Sequence, residues 1–109
     1  MSCAALCCRY FFTHVPTIPP YPQCLGVCHF SEVAFVFHFQ YLLSGASEVA
    51  LSNAMGGYWA SFAATHTPSG AVAWPQYNAT GDAYLELDTT VEAISNLKTR
   101  ECDMWARLQ

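Results

Sequence analysis

The chain has 109 residues and a mass of 12.0 kDa, which is enough for one small domain and too little for two. It is 53% hydrophobic and only 11% charged, whereas intrinsic disorder requires low hydrophobicity and high charge. A net charge of −4 with four basic residues leaves no basic patch for nucleic acid, and no apolar run approaches the ~18 residues of a membrane span.

The few charges are also unevenly distributed. Between Tyr10 and Gly81 the only formally charged residues are Glu32 and Glu48, and nine of the twelve charged side chains lie from Asp82 onwards. A free-standing domain must cover a large surface with polar groups. The charge-poor middle of this chain therefore looks like the interior of a larger structure.

The first third of the chain predicts strands separated by a proline-rich loop. Arg9–Val15 is aromatic and β-branched and predicts a strand. Four prolines between positions 16 and 22 then favour an extended loop through Gln23. Leu25–Cys28 is a short apolar run that suggests a second strand, and it leads directly to His29.

The apolar period changes along the middle of the chain. Val33–Tyr41 alternates and favours a strand, with a buried helix as the alternative because Ala34 and Val36 fill the other face. A turn follows at Ser44-Gly45, and the next helix is expected to end in a loop at Thr67–Gly70. One face of that helix is formed by apolar residues at helical spacing: Leu51, Met55, Tyr58, Trp59 and Phe62.

The last third of the chain mixes loop, strand and helix signals. Asn78–Asp82 reads as irregular, and Tyr84–Leu87 predicts a short edge strand. A second amphipathic helix is expected between Ile94 and Leu108, with charged residues on its solvated face.

Six cysteines are many for this length, and three of them fall in the cysteine-rich start at residues 1–8, which is assigned to no element. That start lacks the positive region of a signal peptide, whereas Asn78-Ala79-Thr80 fits the N-glycosylation pattern of secretory proteins. Together the cysteines and this triplet favour an oxidising compartment and leave the localisation open. Cys24–His29 is one residue longer than a haem attachment motif, and the cysteines lack zinc spacing, so no metal or other cofactor is predicted.

Gly26–Phe37 resembles the catalytic-histidine block of the type-B carboxylesterase and cholinesterase family, which runs Gly-Val/Ala-x-His-Gly-x-Glu-Leu/Ile-x-Phe-Val-Phe. Five more segments are similar to that family, in order and with similar spacing: Arg9–Pro16, Leu51–Ala63, Pro68 with Trp74–Tyr77, Tyr84–Leu87 and Cys102–Trp105. The resemblance implies that residues 9–109 are the C-terminal segment of such a domain. The implied fold class is α/β, an incomplete α/β-hydrolase fold with the last sheet strands, the catalytic-histidine loop and C-terminal helices.

The resemblance also implies roles for single residues. His29 would be the general base of a serine esterase, and Glu32 would organise its loop. The family order of serine, acid and histidine places the nucleophile, the acid and the oxyanion loop before residue 1. Gly45–Val49 imitates the serine elbow without its final glycine, so Ser47 is interpreted as a loop serine that caps a helix. Phe30 stands where the family has glycine, which predicts a change in loop shape.

The expected function is that of the C-terminal part of a carboxylic ester hydrolase. Alone it would be inactive, because serine and oxyanion hole are missing, and it would associate with the missing N-terminal part to act on an ester substrate. The resemblance implies a disulfide at Cys102 whose partner lies outside the chain unless one of the first cysteines replaces it. The alternatives are a truncated gene product and a small, secreted, non-catalytic interaction protein with disulfides.

Overall fold

The computed structural model describes residues 7–19 and 21–108. Within them, three strands form one sheet in the order β1-β2-β3: β1 (Tyr10–Phe12), β2 (Ala83–Leu87) and β3 (Glu92–Ser95). The α-helices of the described ranges are α1 (Val33–Val36), α2 (Gly45–Thr65) and α3 (Thr99–Ala106). Single 3₁₀ turns occupy Gln23–Leu25 and Gln40–Leu42.

The sheet combines a parallel and an antiparallel pair. β1 and β2 are parallel, with Tyr10 opposite Leu85 and Phe12 opposite Leu87. A parallel pair requires a crossover connection, and α1 and α2 lie in that connection. β3 pairs with the other side of β2 in the antiparallel sense. The prediction of an edge strand at Tyr84–Leu87 is therefore right about the strand and wrong about its place, because β2 is central.

The core forms where α1 and α2 cover one face of the sheet. Phe12, Leu85 and Leu87 point to this face, and the buried face of α2 repeats every three or four residues, as its sequence predicts. The core cluster consists of Phe12, Phe35, Leu43, Leu51, Met55, Tyr58, Leu85 and Leu87. Each large side chain that is buried in this way contributes about 1.5–3 kcal/mol, so the sheet and α2 stabilise each other.

The segment Val33–Tyr41 is not a strand, and the helix weighed as its alternative forms only at Val33–Val36. The Glu32 carbonyl accepts hydrogen bonds from two successive N–H groups, those of Phe35 and Val36. The helix cannot continue because His38 has a left-handed φ of 52°. Only Phe35 of this helix is buried. The alternation of apolar residues at every second position therefore did not indicate a half-buried strand.

Three aromatic side chains of the same segment face solvent instead of a core. Phe37 and Phe39 stack with their ring centroids 6.1 Å apart, and Phe39 and Tyr41 stack at 5.9 Å. Phe37 is 66% exposed and Tyr41 is 76% exposed. The alternation therefore marks a row of stacked rings on the surface.

The expected strand at Leu25–Cys28 is also wrong. Its first residue ends a 3₁₀ turn, and Gly26 follows with φ of 64°, a conformation that glycine adopts without a Cβ penalty. Leu25 is exposed, so this apolar run does not enter the sheet. β1 is shorter than the predicted Arg9–Val15, although the Thr13 N–H still donates to the Leu87 carbonyl at 3.1 Å.

The predicted helix between Ile94 and Leu108 is divided into β3 and α3. Asn96 and Lys98 have left-handed φ values of 64° and 53°, which interrupt a right-handed helix. The Asn96 N–H donates to the Asp82 carbonyl at 3.1 Å and so extends the pairing of β2 with β3 by one residue on each side. Over the described ranges, no helix has both the length and the apolar character to cross a bilayer.

Gly70 leaves room for the ring of Tyr58, and we expect Gly70→Ala to destabilise the protein. A Cβ at Gly70 would overlap the ring, which is buried and held by two bonds to Val72. The Tyr58 hydroxyl donates to the Val72 carbonyl at 2.6 Å and accepts the Val72 N–H at 3.2 Å. Urea unfolding followed by tryptophan fluorescence should show a loss of about 1–3 kcal/mol.

Gly57→Ala is the matched control, because a Cβ at Gly57 in α2 meets no atom within 4 Å. This change should raise the free energy of unfolding by about 0.5–1 kcal/mol, since alanine favours a helix more than glycine does. A Gly70→Ala variant as stable as the parent chain would contradict the close packing at Tyr58.

Candidate active site

His29 lies in the loop between the first 3₁₀ turn and α1, and hydrogen bonds fix the backbone on both sides of it. Ser31 is buried, its hydroxyl accepts the Cys28 N–H at 2.9 Å, and its own N–H donates to the Cys28 carbonyl at 3.0 Å. The Tyr21 hydroxyl donates to the His29 carbonyl at 3.1 Å. The loop thus holds its backbone and leaves the imidazole exposed.

The imidazole of His29 packs edge-on against Phe30, with 4.2 Å between the ring centroids. In the part of the chain that the structure describes, no side chain forms a hydrogen bond with either ring nitrogen of His29. A histidine base in a catalytic triad receives a hydrogen bond partner on each nitrogen, the nucleophile on one and an acid on the other. The imidazole of His29 is exposed, which leaves room for such partners.

Phe30 has φ of 73°, in the left-handed region that favours glycine. A residue with a side chain is strained there by roughly 1–2 kcal/mol. The backbone thus takes a glycine-like conformation at the residue that departs from the family pattern, and the phenyl ring is 59% exposed. The strain is borne by the peptide unit that directly follows His29.

Glu32 is the N-cap of α1, but its side chain makes no capping hydrogen bond. Burial, and to a smaller extent the negative charge of Glu32, raise the pKa of Tyr10. The predicted organising role of Glu32 stays a prediction. Sequence reasoning missed Tyr21 and Ser31, although a serine three residues after Cys28 is a common local hydrogen-bonding pattern.

His14, just after β1, lies between two carboxylates. Its ring packs edge-on against Phe35 of α1 at 5.4 Å. Nε2 lies 2.9 Å from Glu48 Oε1, and Nδ1 lies 3.0 Å from Asp88 Oδ1. Each ring nitrogen of His14 therefore has one carboxylate oxygen within hydrogen-bond distance.

Glu48 is 1% exposed and receives two backbone N–H groups besides His14. Thr17 donates to Oε1 at 2.7 Å, and Ser44 donates to Oε2 at 2.6 Å. Burial alone would raise the pKa of Glu48, but the hydrogen bonds from His14, Ser44 and Thr17 outweigh it and lower the pKa to about 2. Glu48 therefore joins the loop after β1 to the beginning of α2.

Asp88 completes the network at the end of β2. Burial opposes its ionisation, but the Thr89 N–H, His14 and the Thr13 hydroxyl lower its pKa. Sequence reasoning missed this network. The available signal was Glu48 itself, because a lone carboxylate within an apolar segment is buried only when it is paired.

Ser47 and Ser52 lie in the first half of α2 and differ in their exposure. Ser47 is exposed and belongs to the first turn of α2, so the interpretation as a loop serine that caps the helix is wrong; the N-cap is Ser44. Ser52 contacts His38 Nδ1 at 2.8 Å, but it is 1% exposed and its hydroxyl donates to the Phe35 carbonyl at 2.6 Å. Neither serine is arranged for attack on an ester.

The other predicted site residues lie apart from His29. Asn78 is exposed, and its Oδ1 accepts the Gly81 N–H at 2.7 Å; glycosylation there stays a prediction. Cys102 is an exposed free thiol in α3. Within the described ranges, no three histidine, cysteine or acidic side chains cluster in a way that could hold a metal ion.

Comparison with known proteins places this geometry in a family context. The model of the carboxylesterase family matches residues 7–105. The chain is 36% identical to a medium-chain fatty acyl-CoA hydrolase precursor of Anas platyrhynchos, which it aligns with over 91% of its own length and 19% of the relative's. It is 36% identical to carboxylesterase 4A of Bos taurus, with 91% and 19% covered. It is 32% identical to acetylcholinesterase of Gallus gallus, with 90% and 14% covered. The chain thus spans less than a fifth of these relatives.

Stability should depend on pH through Glu48. Its folded-state pKa of about 2 lies below the ordinary 4.5, so its stabilisation is complete above pH 4.5 and is lost as the pH falls through about 2. The shift corresponds to at most about 3 kcal/mol. We expect urea unfolding between pH 5 and pH 2 to show this slope, and Glu48→Gln to remove the part due to Glu48.

Glu92→Gln, on the exposed strand β3, is the control for this measurement and should keep the slope of the parent chain. A Glu48→Gln variant with the full slope would show that the acid sensitivity comes from other carboxyl groups.

Backbone strain at Phe30 can be separated from the loss of its side chain. Phe30→Ala removes the ring and keeps φ in an unfavourable region, whereas Phe30→Gly removes both the ring and the strain. We expect the glycine variant to unfold at a higher urea concentration than the alanine variant, by about 1 kcal/mol. An alanine variant equal to or more stable than the glycine variant would mean that the left-handed conformation carries no strain.

Proposed function

Because the chain belongs to the carboxylesterase family, we propose that it provides the C-terminal, histidine-bearing part of a serine ester hydrolase. The family has the α/β-hydrolase fold, and the three-stranded sheet with its crossover helices is consistent with a part of it. One observation carries the proposal: the family match at residues 7–105 includes an exposed imidazole, His29, on a hydrogen-bonded loop. The proposed substrate class is carboxylic esters.

In the intact domain, His29 takes the proton from a serine hydroxyl as the serine attacks the ester carbonyl. It then returns this proton to the leaving alcohol and activates water to release the acid. The imidazole of His29 is exposed, which suits a serine at one ring nitrogen and an orienting acid at the other. Glu32 would organise the loop from the beginning of α1, together with the direct bonds from Tyr21 and Ser31.

The serine, the acid and the oxyanion donors belong to the remainder of the family domain. Ser47 does not suit the role of nucleophile because it lies in the first turn of α2. Ser52 does not suit it because its hydroxyl is buried and donates to a carbonyl. We therefore propose that these 109 residues alone have no esterase activity and associate with that remainder.

The inactivity is tested on the chain by itself. We expect no hydrolysis of 4-nitrophenyl acetate above the rate with buffer, no labelling by a serine-directed fluorophosphonate, and no change in either result for His29→Ala. Labelling at Ser47 or Ser52 would overturn the proposal that the nucleophile lies elsewhere.

The role of His29 is tested by joining the chain to the part of the Anas platyrhynchos hydrolase that it does not match. We expect the joined protein to hydrolyse the ester, and His29→Ala to lower kcat by roughly 10²–10⁴-fold. His66→Asn is the control, because His66 is exposed with a left-handed φ that asparagine tolerates. Equal activity of the parent and His29→Ala would remove His29 from catalysis.

A further inference from the structure

Phe30 places a phenyl group beside the imidazole that the proposed function uses. The ring centroids of His29 and Phe30 lie 4.2 Å apart, and the two ring planes meet at 61°. Both nitrogens of His29 belong to this small five-membered ring, so both lie close to the phenyl group. The family pattern has glycine at this position, which carries no side chain. The chain therefore adds a bulky apolar group next to the proposed general base.

The backbone of Phe30 limits how far the ring can move away from His29. Its φ is 73°, and hydrogen bonds of the neighbouring residues hold the loop in this conformation. The Ser31 N–H donates to the Cys28 carbonyl at 3.0 Å, and the Val33 N–H donates to the Phe30 carbonyl at 3.2 Å. Because these backbone angles set the direction of the Cα–Cβ bond, the ring moves only by rotation about its own side-chain bonds.

The phenyl group is also accessible to a molecule that approaches His29. Phe30 is 59% exposed, and the imidazole is exposed as well. Phe30 lines an apolar cavity of about 190 Å³ together with Ile18 and Phe39. Sites for small molecules usually enclose roughly 300–1,000 Å³, so this cavity is too small to serve as a large pocket beside the base. The ring therefore acts as a wall next to the imidazole.

The chemistry of ester cleavage decides which part of a substrate meets this wall. The serine oxygen bonds to the acyl carbon, the bond between this carbon and the alcohol oxygen breaks, and the proton held by His29 passes to the alcohol oxygen. For this transfer the alcohol oxygen must lie within about 2.6–3.2 Å of a ring nitrogen. The carbon atoms attached to that oxygen therefore come closer to Phe30 than the far end of the acyl chain does.

We infer, on the basis of the role proposed for His29, that Phe30 determines specificity by limiting the size of the alcohol group of the ester. The ester of a small alcohol, such as methanol, fits beside the phenyl group. The ester of a bulky alcohol, such as cyclohexanol, overlaps it. A glycine at this position, as in the family pattern, imposes no such limit.

The test uses the chain joined to the part of the Anas platyrhynchos hydrolase that it does not match. Methyl butyrate and cyclohexyl butyrate share an acyl group and differ in the alcohol, and titration of the released acid follows their hydrolysis. We expect Phe30→Gly and Phe30→Ala each to raise kcat/KM for the cyclohexyl ester, relative to the methyl ester, by roughly 10-fold or more. Both variants lack the ring, and the alanine variant keeps the unfavourable φ. A rise in the glycine variant alone would assign the effect to backbone strain and overturn the inference.

Phe37→Ala is the matched control, because Phe37 is 66% exposed and stacks on Phe39. This variant should keep the ratio of the parent. Lengthening only the acyl chain, from methyl butyrate to methyl octanoate, should give a ratio that changes less in the Phe30 variants than the alcohol ratio does. A larger change in the acyl ratio would overturn the assignment of Phe30 to the alcohol group.

A second measurement uses the separate chain and needs no esterase activity. Diethyl pyrocarbonate acylates accessible imidazoles, and mass spectrometry of chymotryptic peptides compares His29 with the exposed His66 of the same molecule. Both Phe30 variants should raise the rate at His29 relative to the rate at His66, because the ring no longer shields one side of the imidazole. Equal relative rates in the parent and both variants would overturn the inference.

The outcomes for the joined protein separate the role of Phe30 from the proposed function. Hydrolysis of both butyrate esters with the same ratio in the parent and the Phe30 variants would overturn the role of Phe30 and leave the proposed function intact. Hydrolysis of neither ester would overturn the proposed function and, with it, the role of Phe30.

Discussion

The hydrogen bonds on the two sides of His14 fix the path of the chain after it leaves the sheet. Glu48 can be buried in an apolar helix because His14 and two backbone N–H groups surround its carboxylate. This contact places the beginning of α2 beside the end of β1, and Asp88 ties the same imidazole to the end of β2. These contacts of Glu48 align the apolar face of α2 with the sheet. The packing of the core therefore depends on a polar contact.

The same network supports the histidine loop from a distance. Phe35 lies against the His14 ring, and α1 begins two residues after Ser31, whose hydroxyl closes the loop around His29. The loop contributes few apolar contacts of its own, since Phe30 and Leu25 are exposed. The position of the loop is therefore set by α1 and by the backbone hydrogen bonds on both sides of His29.

The sequence predicted the elements whose signal is local. The helical spacing of Leu51, Met55 and Tyr58 identified the buried face of α2, and the motif around His29 identified the family. β3 could not be found in this way, because its pairing with β2 and the left-handed Asn96 outweigh a helix-like pattern of apolar residues. The contacts of His14 join positions that are distant in sequence. The sign of them in the sequence is Glu48, a charged residue within an apolar segment.

The parallel pairing of β1 with β2 also has a consequence for the order of folding. Tyr10 and Leu85 are opposite each other although 75 residues separate them, and both α1 and α2 lie between. Such a topology has a high contact order, and closing a long loop before any reward is gained slows folding. On the ribosome, β1 is made well before β2 exists, so the backbone groups of β1 have no strand partner until residues 83–87 have been synthesised.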